Sequence, residues 1–385
     1  MMFDKSILEK FANLTTPFYY YDISLLKKTL EELKQNASNQ NYIIHYAVKA
    51  NSNDKILKII RDFGFGADCV SGNEVKKAVE TGFDNNVIVF AGVGKSDKEI
   101  KTALGYNIFC FNVESLQELE VINSIASSMN KKANIALRIN PNVNAKTHQY
   151  ITTGLEENKF GINQWEFDEV LSKLKFLKNL KLTGLHFHIG SQITDLDVFK
   201  GLCIRVKEIE QWFNDHHIQF EHINVGGGLG VNYEEPDKHS IPDFNSFFKI
   251  FNKSVKLHPG QSLHFELGRT IVAQCGSLIS RVLYIKNGVN TKFVILDAGM
   301  TELIRPALYQ AYHKIENISS MSKKEKYDVV GPICESSDTF GKSVMLPGTR
   351  RGDIIAIHSA GAYGEVMSSR YNLRDTVKAI YSDEL

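Results

Sequence analysis

Short apolar runs alternate with longer segments of helical period along most of this chain. Eight such runs lie between residues 42 and 266, and they are rich in Val, Ile and Phe, which is typical of strands buried on both faces. The predicted strands are Tyr42–Val48, Ala67–Val70, Val87–Phe90, Ile108–Phe111, Asn134–Ile139, Leu182–His188, Glu221–Val225 and Ser262–Glu266. Eight alternating units over about 225 residues favour a closed (β/α)8 barrel, and a doubly wound open sheet is the competing fold.

The segments between these strands have the pattern of amphipathic helices. Predicted helices include Asn73–Thr81, Glu114–Ser127 and Val198–Asn214. Ser71 is placed to cap the first of them, and acidic residues precede the third, as is usual at helix N-termini.

After residue 270 the pattern changes to one that predicts a mostly β domain. Thr270–Lys286 is a long β-type run that ends at Asn287-Gly288, a hairpin signal. Further strands are predicted at Lys292–Leu296, Tyr327–Val330 and Asp353–His358, and the polar stretch Ser319–Lys326 is predicted to be a surface loop. We therefore predict a barrel domain over residues 25–268 and a β domain over residues 269–385. Residues 1–24, with a strand-like run at Thr16–Tyr21, are expected to pair with the β domain.

Composition narrows the possible functions. The 45 basic and 44 acidic side chains leave a net charge of +1, so no global field favours nucleic acid or an anionic membrane. The first residues, Met1–Lys5, include charged side chains and no apolar signal core. The five cysteines are widely spaced with no Cys-x-x-Cys, which indicates neither a disulfide framework nor a structural zinc site and favours a reducing cytoplasm.

The predicted barrel can be checked against the chemistry at its strand ends, because active sites of such barrels lie at the C-terminal ends of the strands. Those ends, in chain order, are Lys49, Asp68, Ala91-Gly92, Asn112, Arg138, His188, Gly226-Gly227-Gly228 and Glu266-Leu267-Gly268-Arg269. The chain's one triple glycine follows the seventh strand, where barrels of this type commonly bind phosphate. This agreement is the strongest signal that the residue pattern itself provides.

Each strand-end group has an ordinary alternative. Lys49 is either a solvated lysine or, if burial keeps its amine neutral, a nucleophile able to form a Schiff base. The triple glycine is either a tight turn or an anion cradle, and Glu266 and Arg269 are either a local ion pair or a partner for a ring nitrogen and an anion. His188 is either a core histidine or a residue that stacks on a planar cofactor, while Ser191 can donate to phosphate.

The second region carries three further groups of interest. Cys334 lies in the polar, turn-forming stretch Gly331–Asp338, so it is accessible to a ligand if it is not simply a small buried residue. Arg305 and Tyr309 follow a predicted strand, and Tyr363 lies in a small-residue loop. His186 and His188 are two apart, but no third ligand matches them, so we expect no metal.

The combined motifs resemble the pyridoxal-phosphate-dependent decarboxylases that join a (β/α)8 barrel to a β domain. The resemblance rests on six motifs in order over nearly the whole chain: Tyr46–Asn51, His188–Gln192, Gly226–Gly228, Glu266–Arg269, Cys334–Ser336 and Ala360–Gly364. Within that superfamily, Arg305-Pro306 with Tyr309, together with Cys334-Glu335-Ser336, resembles the diaminopimelate decarboxylases. This resemblance implies conversion of meso-2,6-diaminopimelate to L-lysine and CO₂, the last step of lysine biosynthesis.

The resemblance also implies roles for individual residues. Lys49 would hold pyridoxal 5'-phosphate, Glu266 would keep its ring nitrogen protonated, and His188 would stack on the ring. Ser191 and the triple glycine would bind the phosphate. Gly268 would also contact the cofactor, and Asp68 and Arg138 would lie in supporting positions near it. In the family the cysteine at position 334 comes from the partner subunit of a homodimer and protonates the product. Substrate binding would involve Arg269, Arg305, Tyr309, Glu335 and Tyr363. Arg269 and Tyr363 would also bind the cofactor.

Three other functions stay open at this point. A decarboxylase of another cationic amino acid (ornithine, arginine or carboxynorspermidine) is the nearest, although such a substrate favours acidic residues where Arg305 stands. A non-catalytic, decarboxylase-like regulator could dispense with Lys49 or Cys334, and both are present. A pyridoxal-phosphate racemase would need two opposed bases and no pocket for a distal carboxylate.

Overall fold

The computed structural model describes residues 3, 5–38, 41–143 and 159–385. The chain divides into two compact units. The barrel unit comprises Leu30–Gly230 and Asp243–Gly268, and the sheet unit comprises Met1–Thr29, Val231–Pro242 and Arg269–Leu385. A break after Gly268 was expected from the sequence, whereas the membership of Val231–Pro242 in the sheet unit was not.

The strands are numbered in chain order. They are β1 Phe18–Tyr21, β2 Tyr42–Ala47, β3 Gly66–Cys69, β4 Ile88–Phe90, β5 Cys110–Val113, β6 Ala133–Arg138, β7 Leu180–His186, β8 His222–Asn224, β9 Ser262–Leu267, β10 Gly276–Asn287, β11 Lys292–Leu296, β12 Ile315–Asn317, β13 Lys324–Val330, β14 Thr339–Pro347, β15 Ile354–Ile357 and β16 Lys378–Tyr381.

The helices are numbered in the same way. They are α1 Lys5–Ala12, α2 Ile23–Ala37, α3 Asp54–Asp62, α4 Gly72–Thr81, α5 Asp97–Tyr106, α6 Leu116–Ser128, α7 Phe167–Leu174, α8 Asp197–Asp215, α9 Phe244–Ser254, α10 Arg269–Val272 and α11 Arg305–Tyr309. Within the described ranges, no helix has both the length and the apolar character that crossing a membrane requires.

Strands β2 to β9 form a closed parallel barrel. The barrel closes where β9 pairs with β2, with Tyr42 beside Leu263 and Tyr46 beside Leu267. All eight predicted strands are present, with ends shifted by a residue or two, so the predicted (β/α)8 barrel is confirmed. Strand β2, the first strand of the barrel, ends at Ala47, one residue before the predicted end, because Val48–Ala50 form a turn of 3-10 helix.

Side-chain caps explain where the barrel helices begin. The Ser71 hydroxyl accepts a hydrogen bond from the backbone N–H of Glu74 at 3.2 Å, so the predicted cap of α4 is confirmed. Ser115 does the same for Glu118 at 3.2 Å. Helix α6 therefore begins at Leu116 rather than at the predicted Glu114.

Aromatic packing joins the outside of the barrel to its helices. The ring of Phe265, on β9, lies 5.0 Å from the rings of Phe248 and Phe251 on α9, with both pairs edge to face. Phe247, on the same helix, packs at 5.0 Å against Phe199 of α8. Full burial of one such side chain contributes roughly 1.5–3 kcal/mol, so this cluster holds α8 and α9 against the sheet.

The inside of the barrel contains a layer of buried histidines, formed by His45, His222 and His264. His45 Nδ1 lies 3.0 Å from the carbonyl oxygen of Val87, which can only accept, so His45 carries its proton there. His45 Nε2 therefore accepts from His264 Nδ1 at 2.9 Å, and His264 Nε2 accepts from the Ser262 hydroxyl at 2.8 Å. This chain of bonds satisfies both rings only when both are neutral.

The sheet unit is built on the strand order β12-β15-β10-β11-β13-β14. Strand β1 pairs antiparallel with β10 and parallel with β16, which brings the N-terminal segment into this sheet. Phe11, Phe18 and Tyr20 pack with Ile279 and Ala356 in the core on one side of it. A mostly β second region, as the sequence predicts, is therefore confirmed.

Details of the sheet unit differ from the predictions. The predicted strand Thr270–Lys286 begins with the helical turn α10, and β10 starts only at Gly276. A Cβ at Gly276 would lie 2.3 Å from the Cα of Gly361, so only glycine permits this close approach. The predicted loop Ser319–Lys326 overlaps β13, which begins at Lys324. Strands β12, β14 and β16 were missed because their apolar runs are only a few residues long.

Candidate active site

Glu266 lies at the centre of a buried polar cluster near the end of β9. Its carboxylate accepts hydrogen bonds from the Asn224 amide at 2.8 Å, His186 Nε2 at 3.0 Å and the Asn112 amide at 3.2 Å. Burial by itself raises the pKa of Glu266, but the interaction with His186 and the positive charge of Lys49 outweigh it and hold the pKa below its usual value. The barrel thus maintains an ionised carboxylate in its interior.

Lys49 lies in the turn after β2, and its ammonium is 2.7 Å from the carboxylate of Asp68 at the end of β3. The Lys49 side chain is 36% exposed, so it is not the deeply buried amine that one of the two alternatives for this residue requires. Asp68 is fully buried, and burial together with the nearby charge of Glu266 raises its pKa despite Lys49. Asp68 Oδ1 has no hydrogen-bond partner among the described residues.

Arg138, at the end of β6, pairs with a residue that the sequence analysis did not identify. Its guanidinium lies 2.7 Å from the buried carboxylate of Glu114 and 4.7 Å from the ring centroid of Phe160. Glu114 also accepts the backbone N–H of Gly92 at 2.9 Å and of Gly161 at 3.3 Å. Glu114 therefore ties together the ends of three strands, and Arg138 neutralises it.

The glycine loop after β8 is packed too closely for any side chain. A Cβ on Gly227 would lie 1.9 Å from the carbonyl oxygen of Glu266, and Gly226 and Gly228 have φ of +70° and +103°. The Gly227 N–H donates to His188 Nδ1 at 3.4 Å, which makes that nitrogen an acceptor. Burial, followed by the charges of Arg138 and Lys49, lowers the pKa of His188 to about 3, so its imidazole is neutral.

Two further predicted residues flank this loop. Ser191 follows β7 and is half-buried, in the segment whose Ile193 N–H donates to the Gly228 carbonyl at 2.8 Å. A Cβ on Gly268 would lie 3.0 Å from the Cβ atoms of Ala47 and Ala50. This glycine thus lets the end of β9 pack against the turn that carries Lys49.

In the sheet unit, Arg269 and Arg305 converge on one phenol. Arg269 Nη1 donates to the Tyr233 hydroxyl at 2.6 Å, and Arg305 Nη1 donates to it at 3.0 Å. Both guanidinium groups are at least nine-tenths buried, and no described carboxylate forms an ion pair with Arg305. Arg305 also donates to His313 Nε2 at 2.9 Å.

Tyr363 has an unusual backbone conformation. Its φ is +56°, in the left-handed region that non-glycine residues rarely occupy, and its ring lies 4.9 Å from the guanidinium carbon of Arg269. Strain of this kind persists where surrounding structure imposes it, often at functional sites. Tyr309 is half-buried at the end of α11.

Cys334 and Glu335 lie on an exposed turn organised by Asp338. The Asp338 carboxylate accepts the backbone N–H of Met300 at 2.6 Å and of Ile333 at 2.7 Å. Cys334 is exposed, and the other four cysteines are buried and free. Glu335 accepts from the Tyr371 hydroxyl at 2.8 Å. The expectation that this stretch is accessible therefore agrees with the exposure of its thiol.

Comparison with known proteins identifies the family. Residues 24–273 match the model of the pyridoxal-dependent decarboxylase pyridoxal-binding domain. A diaminopimelate decarboxylase from Bacteroides thetaiotaomicron is 59% identical over 379 residues, covering 98% of each chain. The chain belongs to the diaminopimelate decarboxylases.

Solved structures agree with this membership. The diaminopimelate decarboxylase of Helicobacter pylori, complexed with L-lysine, superposes with a TM-score of 0.92 at 42% identity and covers 98% of this chain and 94% of that one. A lysine/ornithine decarboxylase from Vibrio vulnificus, complexed with putrescine, matches with a TM-score of 0.85 at 20% identity over 99% and 98% of the two chains. The second likeness concerns the fold alone.

Several residues around the site of this diaminopimelate decarboxylase family member were missed by the sequence analysis. They are Asn224 beside Glu266, Glu114 beside Arg138, and Tyr233 and His313 beside the arginines. Asn112, which donates to Glu266, was identified as a strand end but was given no role. Asn224 ends β8, so the rule that identified the other strand ends could have found it. Tyr233 lies in a segment with no strand or helix and carried no such signal.

Proposed function

We propose that this protein decarboxylates meso-2,6-diaminopimelate to L-lysine and CO₂, with pyridoxal 5'-phosphate as cofactor. The observation that carries the proposal is the convergence of two buried arginines, Arg269 and Arg305, on one phenol. A buried guanidinium such as Arg305, with no carboxylate partner among the described residues, suits an anionic group on a ligand. Diaminopimelate has a second carboxylate, which lysine, ornithine and arginine lack.

The residues of the barrel fit the cofactor. The carboxylate of Glu266 stays ionised and accepts three hydrogen bonds, which leaves a lone pair for a protonated ring nitrogen. Asp68 Oδ1 is a buried acceptor that still needs a donor among the described residues. The Gly226–Gly228 loop has a backbone path that only glycine permits, because a Cβ would clash with the neighbouring backbone. When bound, pyridoxal phosphate supplies a ring that accepts the electron pair left by departing CO₂.

Each residue has a defined part in this proposal. Lys49 would hold the cofactor covalently through its amine, and Asp68, 2.7 Å away, would orient that amine. Glu266 would keep the ring nitrogen protonated, His188 would stack on the ring through a neutral imidazole, and Ser191 and the Gly226–Gly228 loop would bind the phosphate. Gly268 keeps the Lys49 turn close, and Arg138 supports the neighbouring strand end.

The sheet unit supplies the groups that select the substrate and protonate the product. Arg269, Arg305 and Tyr309 bind the distal carboxylate, Glu335 binds the distal ammonium, and Tyr363 closes the site beside the cofactor. Cys334 Sγ–H donates a proton to the α-carbon after CO₂ has left. Its exposed position on the Asp338 turn supports a role toward a partner, and we propose a homodimer in which each Cys334 serves the other subunit. We also propose a cytoplasmic location, on the basis of the free cysteines.

A substrate panel tests this function. The purified protein is incubated with pyridoxal phosphate and, in separate reactions, with meso-diaminopimelate, lysine, ornithine or arginine. The kcat/KM for CO₂ release should be at least about a hundredfold higher with meso-diaminopimelate than with the other three. The others lack the carboxylate that pairs with the arginine, and their own positive charge would repel it. Arg305→Ala should lose most of that preference, mainly because its kcat/KM for diaminopimelate falls. Arg351→Ala is the control, because this exposed arginine also stacks on a tyrosine, Tyr284, at 4.9 Å. Equal rates with ornithine or arginine would replace the proposal with a polyamine-type function.

A further inference from the structure

Tyr233 occupies an unusual electrostatic position. Its hydroxyl oxygen accepts an N–H from each of two buried arginines, at 2.6 Å from Arg269 and 3.0 Å from Arg305. The guanidinium carbons lie 6.0 Å and 5.0 Å from its ring centroid. Two like charges sharing one atom in a buried site repel each other, and the phenol oxygen that accepts from both offsets part of that repulsion.

The Tyr233 hydroxyl can also donate one hydrogen bond. Both of its described hydrogen bonds are accepted ones, and among the described residues its own O–H has no acceptor. A buried donor of this kind normally has a partner. The missing partner would be an anion, because two cations already surround the oxygen.

His313 fixes the other side of the arrangement. Its Nδ1 lies 2.8 Å from the carbonyl oxygen of His358, so the proton is there, and its Nε2 accepts from Arg305 at 2.9 Å. Burial, followed by the charge of Arg305, lowers the pKa of His313 to about 3. The neutral imidazole packs edge to face against the Tyr233 ring at 5.1 Å.

The segment that carries Tyr233 is itself anchored. The Gln274 amide donates to the carbonyl oxygens of Asn232 at 2.9 Å and His239 at 3.2 Å. Lys314 pairs with Asp237 at 2.6 Å. Tyr233 therefore has little freedom to move away from the arginines.

We propose that Tyr233 is a positioning residue that determines specificity for the distal carboxylate of the substrate. It sets the spacing of Arg269 and Arg305 so that both guanidinium groups can bind one carboxylate, and it directs its own O–H to the same anion. This inference rests on the proposed function and adds to it a residue outside the six motifs on which the resemblance rests.

Ionisation of Tyr233 should weaken substrate binding. Burial raises the pKa of Tyr233, but the two guanidinium charges outweigh burial and bring the pKa below its usual value. A phenolate would neutralise the arginines and repel a carboxylate. The KM for diaminopimelate should therefore rise at alkaline pH, and bound dicarboxylate should oppose the ionisation.

Tyr233→Phe in the full-length protein loaded with pyridoxal phosphate tests the proposal. The KM for meso-diaminopimelate should rise roughly tenfold or more, since hydrogen bonds to charged groups are lost, and the alkaline rise of KM should disappear. The binding constant of pimelate, a dicarboxylate without amino groups, should weaken by a similar factor in calorimetry. Cofactor affinity should stay as in wild type, whereas the thermal midpoint should fall, because two buried guanidinium groups lose their shared acceptor. Tyr284→Phe, at an exposed tyrosine that stacks on Arg351, should change none of these.

The outcomes separate the two proposals. If Tyr233→Phe decarboxylates diaminopimelate with wild-type KM and its KM still rises at alkaline pH, Tyr233 does not determine specificity and the proposed function stands. If wild-type protein does not prefer diaminopimelate, the proposed function itself fails. Should the variant not fold, wild-type protein decides alone: a phenolate absorbance that appears before bulk tyrosine ionisation, and that pimelate suppresses, supports the proposal, and its absence overturns it.

Discussion

The histidine layer inside the barrel should make this protein acid-sensitive, and His222 offers the clearest test. His222, His45 and His264 are almost completely buried, and the hydrogen bonds of the last two require neutral rings. Burial is the main cause that lowers the pKa of His222 to about 3 and that of His45 to about 4, from 6.5. His222 Nδ1 has no partner among the described residues, so replacing this ring by phenylalanine removes a titrating group without breaking a bond at that nitrogen.

The sign and size follow from proton linkage. Between the folded and unfolded pKa values the unfolded chain binds the extra proton, so stability falls as pH falls below 6.5. A pH of about 5 is about 1.5 units below the pKa of His222 in the unfolded chain. Protonation there stabilises the unfolded chain by about 2 kcal/mol and does not stabilise the folded protein. His45 contributes about the same, and net stabilities of whole domains are only about 5–15 kcal/mol.

The assay is urea unfolding followed by far-ultraviolet circular dichroism at several pH values from about 7 to 5, where the histidines titrate in the unfolded chain. On acidification, the free energy of unfolding of His222→Phe should fall by about 2 kcal/mol less than that of wild type, because one of the buried histidines is absent. The control is His217→Asn, since His217 is exposed with φ of +61°, a conformation that asparagine tolerates. Equal acid-induced losses in wild type and His222→Phe would show that this ring does not stay neutral in the folded barrel, and the reasoning would be refuted.

Two further predictions concern catalysis. Glu266→Gln should lower kcat by about a hundredfold or more at saturating cofactor, because a neutral amide cannot keep the ring nitrogen protonated, and steady-state assays with an unchanged kcat would contradict the role of the carboxylate. Lys49→Ala and Cys334→Ala should each be nearly inactive, but unfolding, mixing and refolding them together should restore on the order of a quarter of wild-type activity, since half of the dimers are hybrids with one intact site of two. No recovery despite demonstrated subunit exchange would place both residues in the site of one subunit.

The barrel was predictable from the sequence because each of its features has a local signal. Parallel strands buried on both faces give continuous apolar runs, and the turn between strand and helix gives a polar residue at each strand end. The same reasoning located Lys49, Asp68, Arg138 and Glu266 at strand ends. It did not identify Asp68 as the partner of Lys49, because their ion pair is a contact between residues 19 positions apart.

The sheet unit was harder to predict because its order depends on distant contacts. Strand β1 pairs with β10 and β16, which are separated from it by most of the chain. Strand β14 has only two buried residues, Phe340 and Leu346, and its register with β13 shifts twice, so it lacks a regular alternation of buried and exposed positions. Tyr233 is a further example, since its importance comes only from two arginines that are 36 and 72 residues away.

Substrate choice in this architecture must come from side chains rather than from the fold. The Vibrio vulnificus lysine/ornithine decarboxylase shares the fold over nearly the whole chain at 20% identity. A fold that is retained while four residues in five change cannot by itself distinguish an amino acid with a distal carboxylate from one without. A buried arginine such as Arg305 can, because leaving it unpaired costs more than a lost contact does in an apolar pocket. If Tyr233 sets the position of that arginine, then the neutral phenol beside Arg305 belongs to the selection as much as the charge does, and substitution of either should widen the substrate range in the same direction.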